Sequence, residues 1–231
     1  MKNILIATPT YDGKLDVWYV NALTNTIILG LQNNINFQPV YMSYDALIQR
    51  SRNDLIAVAV ENNFDGMLWV DADMEWHPQW AIDLVNSGKD AIGLPVIKKS
   101  VTEESYNVKC AVENLVVKDG LIEVESIGTG FYYLSKAAID YLWNNSEPYV
   151  HYGKERRWVF EVKIQDNDIV SEDVLINFKL RAGGFNIFVD PSKTCNHIGH
   201  LKYQGNFAEF VNKVIESKPT TKKVKKKSKG V

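Results

Sequence analysis

The run GMLWVD, Gly66 to Asp71, constrains the fold more than any other stretch: after a glycine come four apolar or aromatic residues, which stop at an acid. So short a continuous apolar run has no polar face, and it reads as a strand covered on both sides. KNILIATPT at the N-terminus, DAIGLPVI at Asp90 to Ile97 and FNIFVD at Phe185 to Asp190 share the pattern, and FQPVYMSY is a plausible further strand. Leu15 to about Leu31 is helix-compatible. Ala46 to Glu61 carries Leu47, Leu55, Ile56, Val58 and Ala59 at helical spacing, and Pro78 to Val85 suits a short helix. Strand and helix thus alternate through the first hundred residues, which predicts an α/β fold with a mostly parallel central sheet flanked by helices.

The second half reads differently. YNVKCAV, LVVKDG, LIEVESIG and GFYYLS are short strand-like pieces, and KDG is a hairpin signal, so antiparallel strands are expected to be added to the sheet. KAAIDYLWNN reads as a helix, as does SEDVLINFKLRAGG, with Ser171 as N-cap and Gly183-Gly184 as its stop. There is no internal repeat. The lysine-rich segment after Pro219 is expected to be disordered, which gives a folded domain over 1–217 and a tail over 218–231.

With 231 residues and 45% apolar content, the chain can build a sizeable core. No stretch approaches the roughly 20 apolar residues of a membrane span, and the apolar run at the N-terminus is too short for a secretory leader. A cytoplasmic location is expected. Cys110 and Cys195 are too few for a disulfide framework and lack metal-ligand spacing. The net charge of −2 hides an asymmetry: KKVKKKSK, residues 222–229, holds six of the 26 basic residues, which leaves 20 against 28 acidic ones in the rest.

Asp71 and Asp73 fall at the carboxyl end of a buried strand, where open α/β sheets bind ligands. Two like charges one residue apart need an offset. A hard divalent cation such as Mg²⁺ or Mn²⁺, which takes oxygen ligands and shares them with substrate phosphates, would supply it. The alternative is a solvated acidic turn, or a cap for the helix entering at Pro78. IGTGF places Gly128 and Gly130 where backbone passes close to a ligand or where a strand merely bulges. SED puts Glu172 and Asp173 at a helix start, where acids also complement the helix dipole. NHIGH sets His197 after a strand.

Taken in order, D-A-D, G-T-G, S-E-D and N-H-I-G resemble the nucleotide-sugar-dependent glycosyltransferases of the GT-A type. The resemblance runs from ILIATPTYDG through HIGHLKYQG and looks closest to the inverting, family-two-like transferases common in bacteriophage and bacteria. It implies a single GT-A (Rossmann-like) domain. It also implies that Asp71 and Asp73 hold Mn²⁺ or Mg²⁺ against the donor diphosphate, that Asp71 contacts the nucleotide, and that His197 completes the metal site, with His200 three residues on as a second candidate. Asp173 matches the general base, with Glu172 beside it. Gly128 and Gly130 match the loop beside donor sugar and acceptor. Thr8, Pro9 and Tyr11 lie where the first loop meets the nucleobase. Arg52 matches a helix position facing the nucleotide, its alternative being an exposed helix charge.

The departures are informative too. No Q-x-x-R-W run follows the Glu-Asp pair, which argues against a processive polysaccharide synthase and for transfer of single sugars. A first strand ending in ATPTYDG is unlike the D-x-D strand of haloacid-dehalogenase-like phosphatases and unlike the Gly-rich, Arg-containing loop of sugar nucleotidylyltransferases. A catalytically inactive nucleotide-sugar-binding module is the non-enzymatic alternative. For the acceptor, the lysine tail and phage relatives point to a hydroxymethylated DNA base, with VIKKS and KERRW as a basic, aromatic rim; a cell-surface glycan or protein is the other reading.

Overall fold

The computed structural model describes residues 1–111, 115–165 and 167–217; the expected tail, 218–231, lies outside the described residues. The chain begins with β1 (Lys2–Thr10), α1 (Val17–Gln32), β2 (Ile35–Ser43), α2 (Ile48–Glu61) and β3 (Gly66–Val70). A two-residue β4 (Met74–Glu75), α3 (Pro78–Asn86) and β5 (Ala91–Gly93) complete the alternating half. Next come β6 (Val108–Lys109), β7 (Ile122–Val124), β8 (Ser126–Ile127), β9 (Phe131–Ser135) and α4 (Lys136–Asn144). Two ribbons follow, β10 (Pro148–His151) with β11 (Lys154–Arg157) and β12 (Lys163–Gln165) with β13 (Asp168–Val170). After them lie α5 (Glu172–Ala182), β14 (Ile187–Val189), β15 (Asn196–Ile198), β16 (Lys202–Tyr203) and α6 (Phe207–Glu216).

The central sheet has seven strands in the order β2-β1-β3-β9-β5-β14-β7. β1 pairs in parallel with β2 and β3, and β5 with β14; β9 runs against both its neighbours, and β7 runs against β14. The α/β class and the largely parallel sheet with added antiparallel strands are therefore the observed fold.

The apolar runs follow from the two covers. On β1, Leu5 and Ala7 face α2 among Leu55 and Ile56, while Ile4 and Ile6 face α1 and α3 among Tyr19, Leu23 and Ile82. β3 divides likewise, Met67 and Trp69 on one face and Leu68 and Val70 on the other, because successive side chains of a strand alternate. Burying each such side chain contributes about 1.5–3 kcal/mol.

Two expectations need adjusting. Regular pairing in DAIGLPVI stops at Gly93, since Pro95 has no N–H for a ladder, and the chain continues through single bridges from Val96 to Cys195 and from Ile97 to Tyr106. Thr8 and Pro9 belong to β1 and not to the loop after it. The KDG hairpin is present, Lys118 and Leu121 exchanging backbone hydrogen bonds of 2.8 and 3.0 Å. Among the described residues no helix is long and apolar enough to cross a membrane.

Candidate active site

At the carboxyl ends of β1 and β3, a cleft of about 650 Å³ is lined by Pro9, Tyr11, Ile48, Arg52, Asp71, Asp73 and His197, among others. The turn after β3 is fixed by backbone: Asp71 N–H donates to the Gly130 carbonyl at 3.1 Å, and Met74 N–H to that of Asp71 at 3.2 Å. β4 then pairs antiparallel with β15, placing His197 opposite Met74, and the Ile198 N–H donates to the Asp73 carbonyl at 2.8 Å. Main-chain pairing thus carries His197 to the D-A-D turn. His200 is exposed and not among the residues lining the cleft, so His197 is the histidine beside Asp73.

Each aspartate has its own cation. The Arg52 side chain, only 6% exposed, donates to Asp71 Oδ1 at 3.2 Å and to Glu172 Oε1 at 2.5 Å. Its guanidinium lies 5.8 Å from the Phe160 ring centroid, and its buried Nε has no hydrogen-bond partner among the described residues. Arg52 is therefore no exposed helix charge. Lys99 Nζ lies 2.5 Å from Asp73 Oδ2, and His197 Nε2 lies 3.5 Å from Asp73 Oδ1. Arg52 and Lys99 thus each set a positive charge from within the chain against one of the two aspartates.

These contacts also set the protonation chemistry. Burial works against a charged Asp73, yet the hydrogen bonds and charges of His197 and Lys99 outweigh it and hold its carboxyl below the usual carboxylate range. Burial lifts the Glu172 carboxyl above its usual range; Arg52 opposes the lift, while Asp173 and Asp71 add to it. His197 Nδ1 lies 3.0 Å from the Ile97 carbonyl, which can only accept, so Nδ1 carries the hydrogen and Nε2 faces Asp73. Nε2 is then the ring nitrogen that could join Asp73 in holding a cation.

The donor set fits a small divalent ion in part. Among the described residues no three His, Cys, Asp or Glu side chains are grouped to hold a metal. Asp73 and His197 offer two ligands, and diphosphate oxygens and water commonly supply the rest for Mg²⁺-like ions.

The second acidic motif faces the first across the G-T-G loop. Ser171 occupies the N-cap of α5, but its hydroxyl donates to Asp173 Oδ1 and does not accept from a helix N–H. Asn177 anchors this turn, donating to the carbonyls of Ile127 at 2.8 Å and Asp173 at 2.5 Å while accepting from the Tyr132 hydroxyl at 3.1 Å. A Cβ on Gly128 would lie 3.2 Å from Asp173 Oδ2, and one on Gly130 would lie 3.5 Å from Asp71 Oδ2. The glycines are the gap through which the motifs meet.

Other sequence expectations fare differently. Thr8 is fully buried with its hydroxyl 2.6 Å from that of Tyr19, so it lies beneath the cleft that Pro9 and Tyr11 line. In KERRW, buried Arg156 is bonded to Asp54 and Glu61, and Arg157 pairs with the exposed Glu155 two residues before it. Lys99, from VIKKS, lies partly exposed at the rim and is bonded to Asp73. Nothing in the sequence distinguishes it from its neighbour Lys98. A second cavity of about 650 Å³ at the β7 and β14 edge, lined by Lys89, Glu123, Arg181 and Phe188 among others, holds none of the motif residues.

No protein-family model matches the chain, and no curated protein does. Among solved structures, the chain is similar to A197 from STIV, with 15% identity over 86% of each chain and a TM-score of 0.50. It is also similar to a glycosyltransferase involved in glycosylation of the major capsid of PBCV-1, with 12% identity over 61% of this chain and 63% of that one and a TM-score of 0.32. TarS residues 1–349 from S. aureus show 14% identity over 84% of this chain and 58% of that one, with a TM-score of 0.43. The likeness to A197 shows a shared fold.

Proposed function

We propose that the chain is a glycosyltransferase that moves a single sugar from a nucleotide-diphosphate sugar to a hydroxyl acceptor, with inversion. One observation carries this reading: Asp71, Asp73, Arg52 and His197 line one cleft at the carboxyl ends of β1 and β3, and Asp173 stands just across Gly128. An acidic turn serving only as a helix cap would not gather a distant histidine and a second acid pair around itself.

The nucleobase lies against Pro9 and Tyr11 at the mouth, with the diphosphate over the D-A-D turn. Asp73 and His197, with Asp71 beside them, would hold Mn²⁺ or Mg²⁺, which when bound stabilises negative charge growing on the leaving diphosphate. Arg52 keeps Asp71 and Glu172 in place. Asp173 has Oδ1 engaged by Ser171, which leaves Oδ2 to accept the proton of the incoming hydroxyl as its oxygen bonds to the anomeric carbon. Attack in line with the departing diphosphate inverts the anomeric centre.

The acceptor we propose is a hydroxymethylated DNA base. With Arg156 buried against Asp54 and Glu61 and Arg157 paired with Glu155, its support rests on the lysine run at 222–229, which makes a glycan or protein hydroxyl the competing acceptor. Purified protein with Mn²⁺ and a panel of nucleotide sugars should hydrolyse one donor slowly. Asp173→Asn should cut transfer by about 10²–10⁴-fold with donor binding retained; loss of donor binding instead would remove its role as base. Mass spectrometry of nucleosides from hydroxymethylated DNA, incubated with pooled donors, should show a sugar adduct, and transfer to glycan acceptors alone would reassign the acceptor.

A further inference from the structure

We infer that Lys99 is a tethered cation that holds the metal position of Asp73 until a donor diphosphate draws it away. This rests on the metal assignment proposed above and deepens it. Lys99 Nζ bonds Asp73 Oδ2 at 2.5 Å, and His197 Nε2 faces the other oxygen of the same carboxylate at 3.5 Å. A divalent ion held by Asp73 and His197 would stand beside that ammonium, and two cations competing for one carboxylate repel each other.

The segment is built so that only the side chain needs to move. On one side of Lys99, Lys98 N–H donates to the Ser105 carbonyl at 2.8 Å; on the other, Ser100 N–H donates to the Lys98 carbonyl at 2.8 Å. The Lys99 stem crosses over Gly199, where a Cβ would lie 3.3 Å from Cδ, and its side chain is 35% exposed. Just before it, the Ile97 carbonyl fixes the His197 tautomer. One short stretch therefore orients one candidate ligand and neutralises the other.

A diphosphate arriving over the D-A-D turn is the group able to draw an ammonium off a carboxylate, since it offers a larger negative charge. Lys99 then contacts the phosphate oxygens, and Asp73 is released to the metal. Donor and metal bind cooperatively as a result, and the site without donor binds the ion weakly.

The full 231-residue protein and its Lys99→Met and Lys99→Arg variants would be titrated with Mn²⁺ alone, the free ion being read by electron paramagnetic resonance. A preformed Mn²⁺–pyrophosphate complex would then be titrated by calorimetry. Lys99→Met is expected to bind Mn²⁺ alone about tenfold tighter than the unaltered protein, a coupling of ordinary size between two ligands of one site. The same variant should bind the Mn²⁺–pyrophosphate complex more weakly, and Lys99→Arg should restore both affinities toward those of the unaltered protein. A merely structural lysine would not move the two affinities in opposite directions. Equal Mn²⁺ affinity in the unaltered protein and Lys99→Met overturns the inference and leaves the metal assignment standing. Absence of Mn²⁺ binding to either protein, with donor hydrolysis persisting in a chelator, removes both.

Discussion

Asp71 and Asp73 are separated by a single residue, yet Asp71 is paired with a guanidinium that is 6% exposed and shared with Glu172, whereas Asp73 is paired with a lysine that is 35% exposed on a flexible stem. The first arrangement is embedded in α2 and packed over Phe160; the second lies at the rim. Desolvation decides what each is worth. A buried charge with its partner removed is costly, while a rim pair exchanges its partner for water at little cost. One motif therefore joins a fixed anchor to a replaceable contact.

The sharpest way to break this contrast is to remove the two cations separately. Arg52→Met leaves Glu172 buried without its counter-charge and is expected to cost about 3–5 kcal/mol of stability, read by urea unfolding. Lys99→Met should cost less than about 1 kcal/mol in the same measurement, because its ion pair is open to solvent. Comparable costs would erase the distinction between anchor and rim.

The glycines refine the comparison at smaller scale. Gly128→Ala would set a Cβ 2.9 Å from Asn107 Nδ2, and that amide cannot swing freely because its Oδ1 accepts from Val96 N–H at 2.8 Å. A cost of about 1–3 kcal/mol with a clear loss of transfer is expected. Gly130→Ala meets Val96 Cγ2 at 3.3 Å and should be milder on both counts.

The smallest effects are in pH dependence, and they have opposite signs. The Glu172 carboxyl is raised in the folded state, so its contribution is fully present below its ordinary value and is lost as pH rises through the folded one. Relative to Glu172→Gln, the unaltered protein should lose stability over that rise. The Asp73 carboxyl is lowered, so its contribution is present above its ordinary value and lost as pH falls through the folded one. Relative to Asp73→Asn, the unaltered protein should weaken on acidification, and added salt should shrink the difference. Unfolding midpoints measured across pH check both signs.

The sheet was legible from sequence because strands covered on both faces leave uninterrupted apolar runs, as at Ile4 to Ala7 and Met67 to Val70. The stop of α5 at Gly183 was legible for a similarly local reason. The pairing of cations with acids was not. Arg52 meets Glu172 across 120 positions and Lys99 meets Asp73 across 26, and local periodicity carries no record of such distances. Burial of Arg52 was hidden as well, since a charged residue on a helix reads as solvated until the facing segment is known. Here that segment is clamped to α2 by Asn53, whose amide makes both bonds to the Phe160 backbone, at 2.8 and 3.0 Å.

The pairing of β15 with β4 bears on how the molecule matures on the ribosome. His197 reaches the D-A-D turn only through that pairing, and β14, which lies between β5 and β7, also comes late in the chain. During synthesis the N-terminal strands and helices emerge first and can begin to pack while both pieces are still missing. A nascent chain halted before residue 187 lacks a strand of its sheet as well as the histidine, so completion of the sheet and of the cleft at the D-A-D turn both await residues 187–198.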